Sequence, residues 1–179
     1  MCKVIAAEFL TLDGVMEDPA PWTCSDFNDE LGEFQQELLF ASDALLLGRV
    51  TYEGFAAAWP GMTDETGFAA RMNGLPKYVA SRTLQTAGWN AEIIRGDVAT
   101  EVAKLKQEPG QNLLIYGSGQ LVQYLRQHGL IDEYRLMVFP VLLGSGKRLF
   151  AEPGPRAAMK LISSYTTSTG VLVLTYERA

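Results

Sequence analysis

Residues able to handle a charged ligand are concentrated where short apolar runs end. Gly117-Ser118-Gly119-Gln120 follows Leu113-Leu114-Ile115-Tyr116 and precedes a segment whose Leu121, Val122 and Leu125 have helical spacing. The glycines therefore fall at a strand-to-helix turn. Residues without Cβ let a phosphate approach the backbone, and the amides and dipole at the start of a helix favour negative charge. Such a turn is as often a plain structural device, so its weight depends on what accompanies it. Gly48-Arg49-Val50-Thr51-Tyr52-Glu53 brings a glycine, a cation and a hydroxyl to the start of another helix. Read alone, Arg49 is better explained as half of a surface ion pair. Ser81-Arg82-Thr83 ends a third apolar run, Lys77-Tyr78-Val79-Ala80, and sets a guanidinium between hydroxyls, a grouping suited to a phosphate monoester.

Other chemistry is sparse. Asp13-Gly14 after the first apolar run is a turn signal, so Asp13 is either a turn residue or part of a loop lying over a ligand. Trp22 is either a lid over a pocket or surface packing, and packing is the simpler reading. Glu30 and Glu33 read as solvated, although one of them could face a cleft. The one histidine, His128, sits just before Gly129 near a helix end, where the helix C-terminus accounts for it. This weighs against a metal site and against a serine-histidine-aspartate triad. The glycines of Gly117-Ser118-Gly119 adjoin the serine, which rules out a nucleophile elbow, and Gly144-Ser145-Gly146-Lys147 lacks P-loop spacing.

The elements that must position these groups follow from periodicity. Lys3 to Leu10 reads as a central strand, followed by a loop through Pro19, Pro21 and Trp22. Ser25 is a plausible cap for a helix from about Asp26 to Phe40, with Phe27, Leu31, Phe34 and Leu38 on its apolar face. Ala44 to Leu47 is a buried strand, and Trp59 to Gly74 is a long connection of the kind that often carries function. Ala91 to Ile94 is a further strand; Gly96-Asp97 caps a helix with Val98, Val102 and Leu105 inward, ended by Pro109-Gly110. Beyond a strand at Tyr134–Phe139 and a loop from Pro140 to Lys147, segments near Leu161–Tyr165 and Val171–Tyr176 form an antiparallel hairpin. The order predicts an α/β domain over residues 1–179, with a mostly parallel central sheet and antiparallel C-terminal strands.

With 179 residues, 47% hydrophobic and 20% charged, the chain suits one globular domain with a real core. Its net charge of -6 leaves no basic footprint for nucleic acid or an anionic membrane. Any anionic ligand must be held locally. Cys2 and Cys24 belong to no CxxC or Cys/His cluster and read as free thiols of a reducing compartment. The apolar runs are too short to span a bilayer, and the N-terminus lacks a signal-peptide pattern. A soluble, cytoplasmic protein is expected.

Gly48-Arg49-Val50-Thr51-Tyr52-Glu53, Val79-Ala80-Ser81-Arg82 and Gly117-Ser118-Gly119-Gln120-Leu121 resemble the cofactor-binding segments of the dihydrofolate reductase superfamily, in order and at similar separations. Ile5-Ala6-Ala7 and Leu12-Asp13-Gly14-Val15 resemble its opening strand and loop. That loop and the tail from Pro140 to Phe150 are most similar to the reductase domain of bacterial riboflavin biosynthesis and its stand-alone relatives. The resemblance spans nearly the whole chain and implies the three-layer dihydrofolate reductase-like fold.

It also implies an oxidoreductase that uses NADPH to transfer a hydride to a small, unassigned substrate of the pteridine or pyrimidine kind. By the resemblance, Arg49, Ser81 and Arg82 surround the adenosine 2′-phosphate, Thr51, Gly117, Ser118, Gly119 and Gln120 hold the pyrophosphate, and Gly48 and Leu121 also belong to the cofactor site. Ala7 and Tyr116 lie by the nicotinamide, with Leu12, Gly14, Val15 and Trp22 around the substrate and Asp13 as a catalytic candidate. The position of the carboxylate that grips pterin in dihydrofolate reductases falls on Gly32, and the neighbouring Glu33 is turned by about 100° on a helix, which argues against folate reduction. Beyond Lys147 and Arg148 no basic cluster for a ribose phosphate is evident. Relatives commonly pair through their C-terminal strands, so a homodimer is expected. The alternative is a nucleotide-binding protein without catalysis of its own.

Overall fold

The computed structural model describes residues 2–151 and 153–179. In chain order the elements are β1 (Lys3–Thr11), α1 (Ala20–Thr23), α2 (Asp29–Phe40), β2 (Ala44–Gly48), α3 (Arg49–Ala58), α4 (Phe68–Gly74) and β3 (Lys77–Ala80). They continue with β4 (Ala91–Ile94), α5 (Val98–Leu105), β5 (Asn112–Tyr116), α6 (Gly119–Gln127), β6 (Glu133–Phe139), β7 (Met159–Thr166) and β8 (Leu172–Arg178). The strands form one eight-stranded sheet in the order β4-β3-β2-β5-β1-β6-β8-β7. Pairing is parallel from β4 through β6 and antiparallel for β8 against β6 and β7.

The parallel centre is apolar on both faces because helices cover both. Ile5 and Ala7 of β1 pack with Leu31, Leu38 and Leu39 of α2 and Met72 of α4, whereas Val4, Ala6 and Leu10 pack with Val102 of α5 and Leu121, Val122 and Leu125 of α6. Three layers result, with β1 alternating between two cores. β5 enters the sheet between β1 and β2, pairing Tyr116 with Ala7 and Leu114 with Leu45. It ends there. β1 runs on beside β6, from Glu8 opposite Leu136 to Thr11 opposite Phe139. The carboxyl end of β5 therefore opens a crevice between its neighbours, the place where open α/β sheets take ligands.

Several boundaries differ from the periodicity reading. The segment expected as loop around Pro21 and Trp22 forms the short α1, and the Asp26 and Phe27 amides bond back to the Thr23 carbonyl. The chain becomes extended only at Asn28, whose side chain accepts the Leu31 amide at 3.2 Å, so Asn28 and not Ser25 caps α2. Phe27 then precedes the helix, 45% exposed and edge-on to Phe9. Within the long connection Asp64 accepts the Phe68 and Ala69 amides at 3.0 and 2.5 Å, which starts α4. Among the described residues no helix is long and apolar enough to cross a membrane.

Candidate functional site

Two helix N-termini are brought to one point by the ends of β2 and β5. The Gly48 amide donates to Ser118 Oγ at 2.9 Å, that hydroxyl donates to the Tyr116 carbonyl at 3.1 Å, and the Ser118 amide donates to Thr51 Oγ1 at 3.0 Å. Gly117 and Ser118 are both left-handed, with φ of 56° and 57°. A Cβ on Gly117 would come within 3.2 Å of Thr51 Oγ1, so the close approach requires glycine. The first helical bond of α6 runs from the Val122 amide to the Ser118 carbonyl, and no side chain caps the helix. The Gly119, Gln120 and Leu121 amides thus face outward from a positive helix end, and α3, capped only by the backbone of Gly48, does the same beside it.

Both ends open into a cleft of about 2360 Å³. Ala7, Gly48, Arg49, Thr51, Ser81 and Arg82 line it, as does the continuous run from Tyr116 to Leu121. Arg49 also pairs with Glu53 at 2.7 Å along α3, so its ion-pair reading and its place at the cleft hold together. Arg82 makes no hydrogen bond or ion pair among the described residues and is exposed at the end of β3. Beside it, Ser81 Oγ accepts the Thr83 and Leu84 amides at 3.2 and 2.9 Å and keeps its own proton to donate. A free guanidinium and a hydroxyl donor therefore stand together at the rim.

The loop after β1 departs from the sequence assignment. Asp13 accepts Thr11 Oγ1 at 2.6 Å and the Gly144 and Leu143 amides at 2.8 and 3.3 Å, with Arg148 at 3.6 Å. Those bonds, the Thr11 hydroxyl foremost, pull its carboxyl down to about 2. Asp13 is an ionised clamp between two loops with no proton to give, and it does not line the cleft. Leu12, Gly14, Val15 and Trp22 do not line it either: Leu12 is 62% exposed, Val15 is fully buried, and Trp22 packs edge-on to Phe139. Met16, Glu17, Asp18 and Pro19 from the same loop do. Met16 lies so close to α6 that a Cβ on Gly119 would meet its sulfur at 2.7 Å.

Glu8 and Gln35, absent from the sequence assignment, also reach the cleft, beside the assigned Tyr116. Glu8 is 2% exposed, and its Oε1 has no hydrogen-bond partner. Burial raises its pKa well above the ordinary carboxyl value, against a smaller opposing pull from the Gly117 amide. Tyr116, 9% exposed, has an equally unpartnered hydroxyl, which burial holds protonated. Gln35 is 7% exposed and donates only to the Met137 sulfur, at 3.1 Å. On α2 both Gly32 and Glu33 line the cleft. The carboxyl in the otherwise apolar run from Lys3 to Leu10 was the available signal for Glu8, since an unpaired acid is rarely fully buried. Gln35 gave no comparable local signal, and Tyr116 was assigned only through the resemblance.

Residues 2–173 match the family described as the RibD C-terminal domain. YyaP, an uncharacterized protein of Bacillus subtilis strain 168, is 31% identical over 98% of this chain and 94% of its own. A Shewanella sp. PV-4 protein assigned provisionally to riboflavin biosynthesis has a similar structure, with TM-score 0.79 at 23% identity over 99% of both chains. Dihydrofolate reductase from Enterococcus faecalis, solved with NADP(H), superposes with TM-score 0.64 at 16% identity, over 98% of this chain and 96% of that one. The fold is the dihydrofolate reductase-like one.

Proposed function

Because this chain belongs to the RibD C-terminal domain family, we propose that it is an NADPH-dependent reductase transferring a hydride to a small pyrimidine- or pteridine-like molecule. The observation that carries this reading is the convergence of the α3 and α6 N-termini with the Ser81–Arg82 strand end on one cleft. A dinucleotide has two anionic centres, and the cleft has two places for them. The uncapped amides of Gly119, Gln120 and Leu121 suit the pyrophosphate, and the unpaired Arg82, with Ser81 and Arg49, suits a 2′-phosphate. The Enterococcus faecalis enzyme on the same fold was solved with NADP(H). NADPH, when bound, supplies the hydride.

The chain's own part is to orient the reactants, exclude water and handle one proton. Gly117 and Gly48 let the ligand meet the backbone, and Ala7 and Tyr116 form the floor where the sheet opens. Glu8, whose pKa burial raises and whose Oε1 has no partner, and Tyr116, whose hydroxyl has none, are the groups at that floor able to carry a proton. Their presence favours catalysis over a purely nucleotide-binding role. Titration calorimetry with NADPH and NADH tests the cofactor, and loss of NADPH absorbance on adding pyrimidine or pteridine substrates tests turnover. Binding of neither dinucleotide would end the reading.

We also infer a homodimer, acting in the cytoplasm, formed through the C-terminal strands. β7 is an edge strand with Leu161, Ile162 and Tyr165 exposed at 48%, 48% and 42%, and an apolar edge of that kind is normally covered. Sedimentation of the wild type against Ile162→Lys checks it.

A further inference from the structure

Charge along the cleft is segregated. Between Lys3 and Arg49 the chain has no lysine or arginine, and between Arg49 and Arg71 it has none again. These stretches supply α2, α3 beyond Arg49 and the approach to α4, whose residues line the cleft without a basic side chain among them. Arg71 itself is turned off the site, bonded to the Ser42 carbonyl and set over the Phe40 ring. The cations that do line the cleft are Arg49, Arg82, Lys147 and Arg148, and all except Arg82 have carboxylate partners.

That basic-free half has a distinct lining. Phe27, Phe55, Trp59 and Phe68 form its walls, and Asp29 and Glu33, one turn apart on α2, border it without a cationic partner. Its polar floor is neutral: the unpartnered Tyr116 hydroxyl and the Gln35 amide, each at least nine-tenths buried. A buried hydroxyl with no partner costs stability unless a ligand supplies one.

Resting on the reductase reading, we propose that this half takes an uncharged, flat molecule whose ring carbonyl accepts a hydrogen bond from Tyr116, and that it rejects the phosphorylated form of such a molecule. The aromatic walls fit a planar ring. A phosphate monoester would meet Asp29 and Glu33 with no basic side chain from α2, from α3 beyond Arg49 or from the approach to α4 to neutralise it.

The test is binding of matched pairs that differ by one phosphate, riboflavin against flavin mononucleotide and uridine against uridine monophosphate, to protein saturated with NADP+, which cannot turn over. The neutral member of at least one pair should bind about tenfold or more tighter. Tyr116→Phe, with its thermal midpoint checked for folding, should weaken that member by about tenfold. The exposed double substitution Asp29→Asn with Glu33→Gln should strengthen the phosphorylated member relative to the neutral one by about threefold or more. Preference for the phosphorylated members, or no binding of either neutral member, overturns the inference while NADP+ binding keeps the reductase reading. Absence of NADP+ binding removes both.

Discussion

The Gly48 amide and the Ser118 hydroxyl, 2.9 Å apart, tie the end of β2 to the turn that opens α6. The Ser118 amide, donating to Thr51 Oγ1 at 3.0 Å, ties the same two helix starts a second time. Ser118→Ala leaves the Gly48 amide without its acceptor and is expected to cost about 1–3 kcal/mol in urea unfolding, together with weaker dinucleotide binding. Because Ser118 is left-handed at φ 57°, Ser118→Gly should recover about 1 kcal/mol of that loss through relief of backbone strain. Equal stability of Ser118→Ala and wild type would show that the tie is not needed.

Arg82→Ala should discriminate between cofactors. Losing a charge-assisted bond to a 2′-phosphate costs about 1.5–3 kcal/mol, so NADPH affinity should fall by that amount while NADH affinity hardly changes. Arg49→Ala should have the smaller effect, since Arg49 is shared with Glu53 at 2.7 Å. Equal weakening of NADPH and NADH by Arg82→Ala would remove the 2′-phosphate assignment.

Asp13→Asn separates a clamp from a catalyst. Its carboxyl is held at about 2, against an ordinary value of 3.8, so the folded state favours the ionised form. That contribution is present above the ordinary value and is lost as pH falls through about 2. The melting temperature of Asp13→Asn should therefore lie below that of wild type at neutral pH and converge with it under acid. Hydride transfer should survive in the variant. Its abolition in a folded protein would restore Asp13 to the catalytic role.

The legible parts of this protein were those written in local pattern. Unbroken apolar runs such as Leu45-Leu46-Leu47 and Leu113-Leu114-Ile115 mark the parallel strands because both faces of the sheet are covered, and glycines at their ends mark where a ligand can meet the backbone. Helix starts were less legible. Ser25 and Asn28 both have capping chemistry, and the choice was made by α1, a turn that periodicity does not register. The substrate half was hidden for a different reason: Gln35, Tyr116 and Trp59 meet only through packing of α2, β5 and the long connection. A residue's own neighbours in sequence say little about such a meeting. The Asp13-Gly14 turn was visible, but its bonds to Leu143 and Gly144 lie across the fold, and they decide its role.

Glu8 offers the sharpest pH test. Its carboxyl is 2% exposed and has no cationic partner among the described residues, so burial favours the protonated form in the folded chain, whereas the unfolded chain releases that proton above the ordinary value of 4.5. The folded state then binds more protons than the unfolded one, and stability must fall as pH rises from that value toward the raised one. The slope can reach about 1.4 kcal/mol per pH unit, the worth of one pKa unit. Glu8→Gln keeps size and hydrogen-bonding capacity but cannot ionise. The difference in unfolding free energy between Glu8→Gln and wild type should therefore shift in favour of the variant as pH rises from the ordinary value toward the raised one. A gap independent of pH would mean that Glu8 is already ionised in the folded protein, and the cleft floor would then carry a buried negative charge instead of a proton.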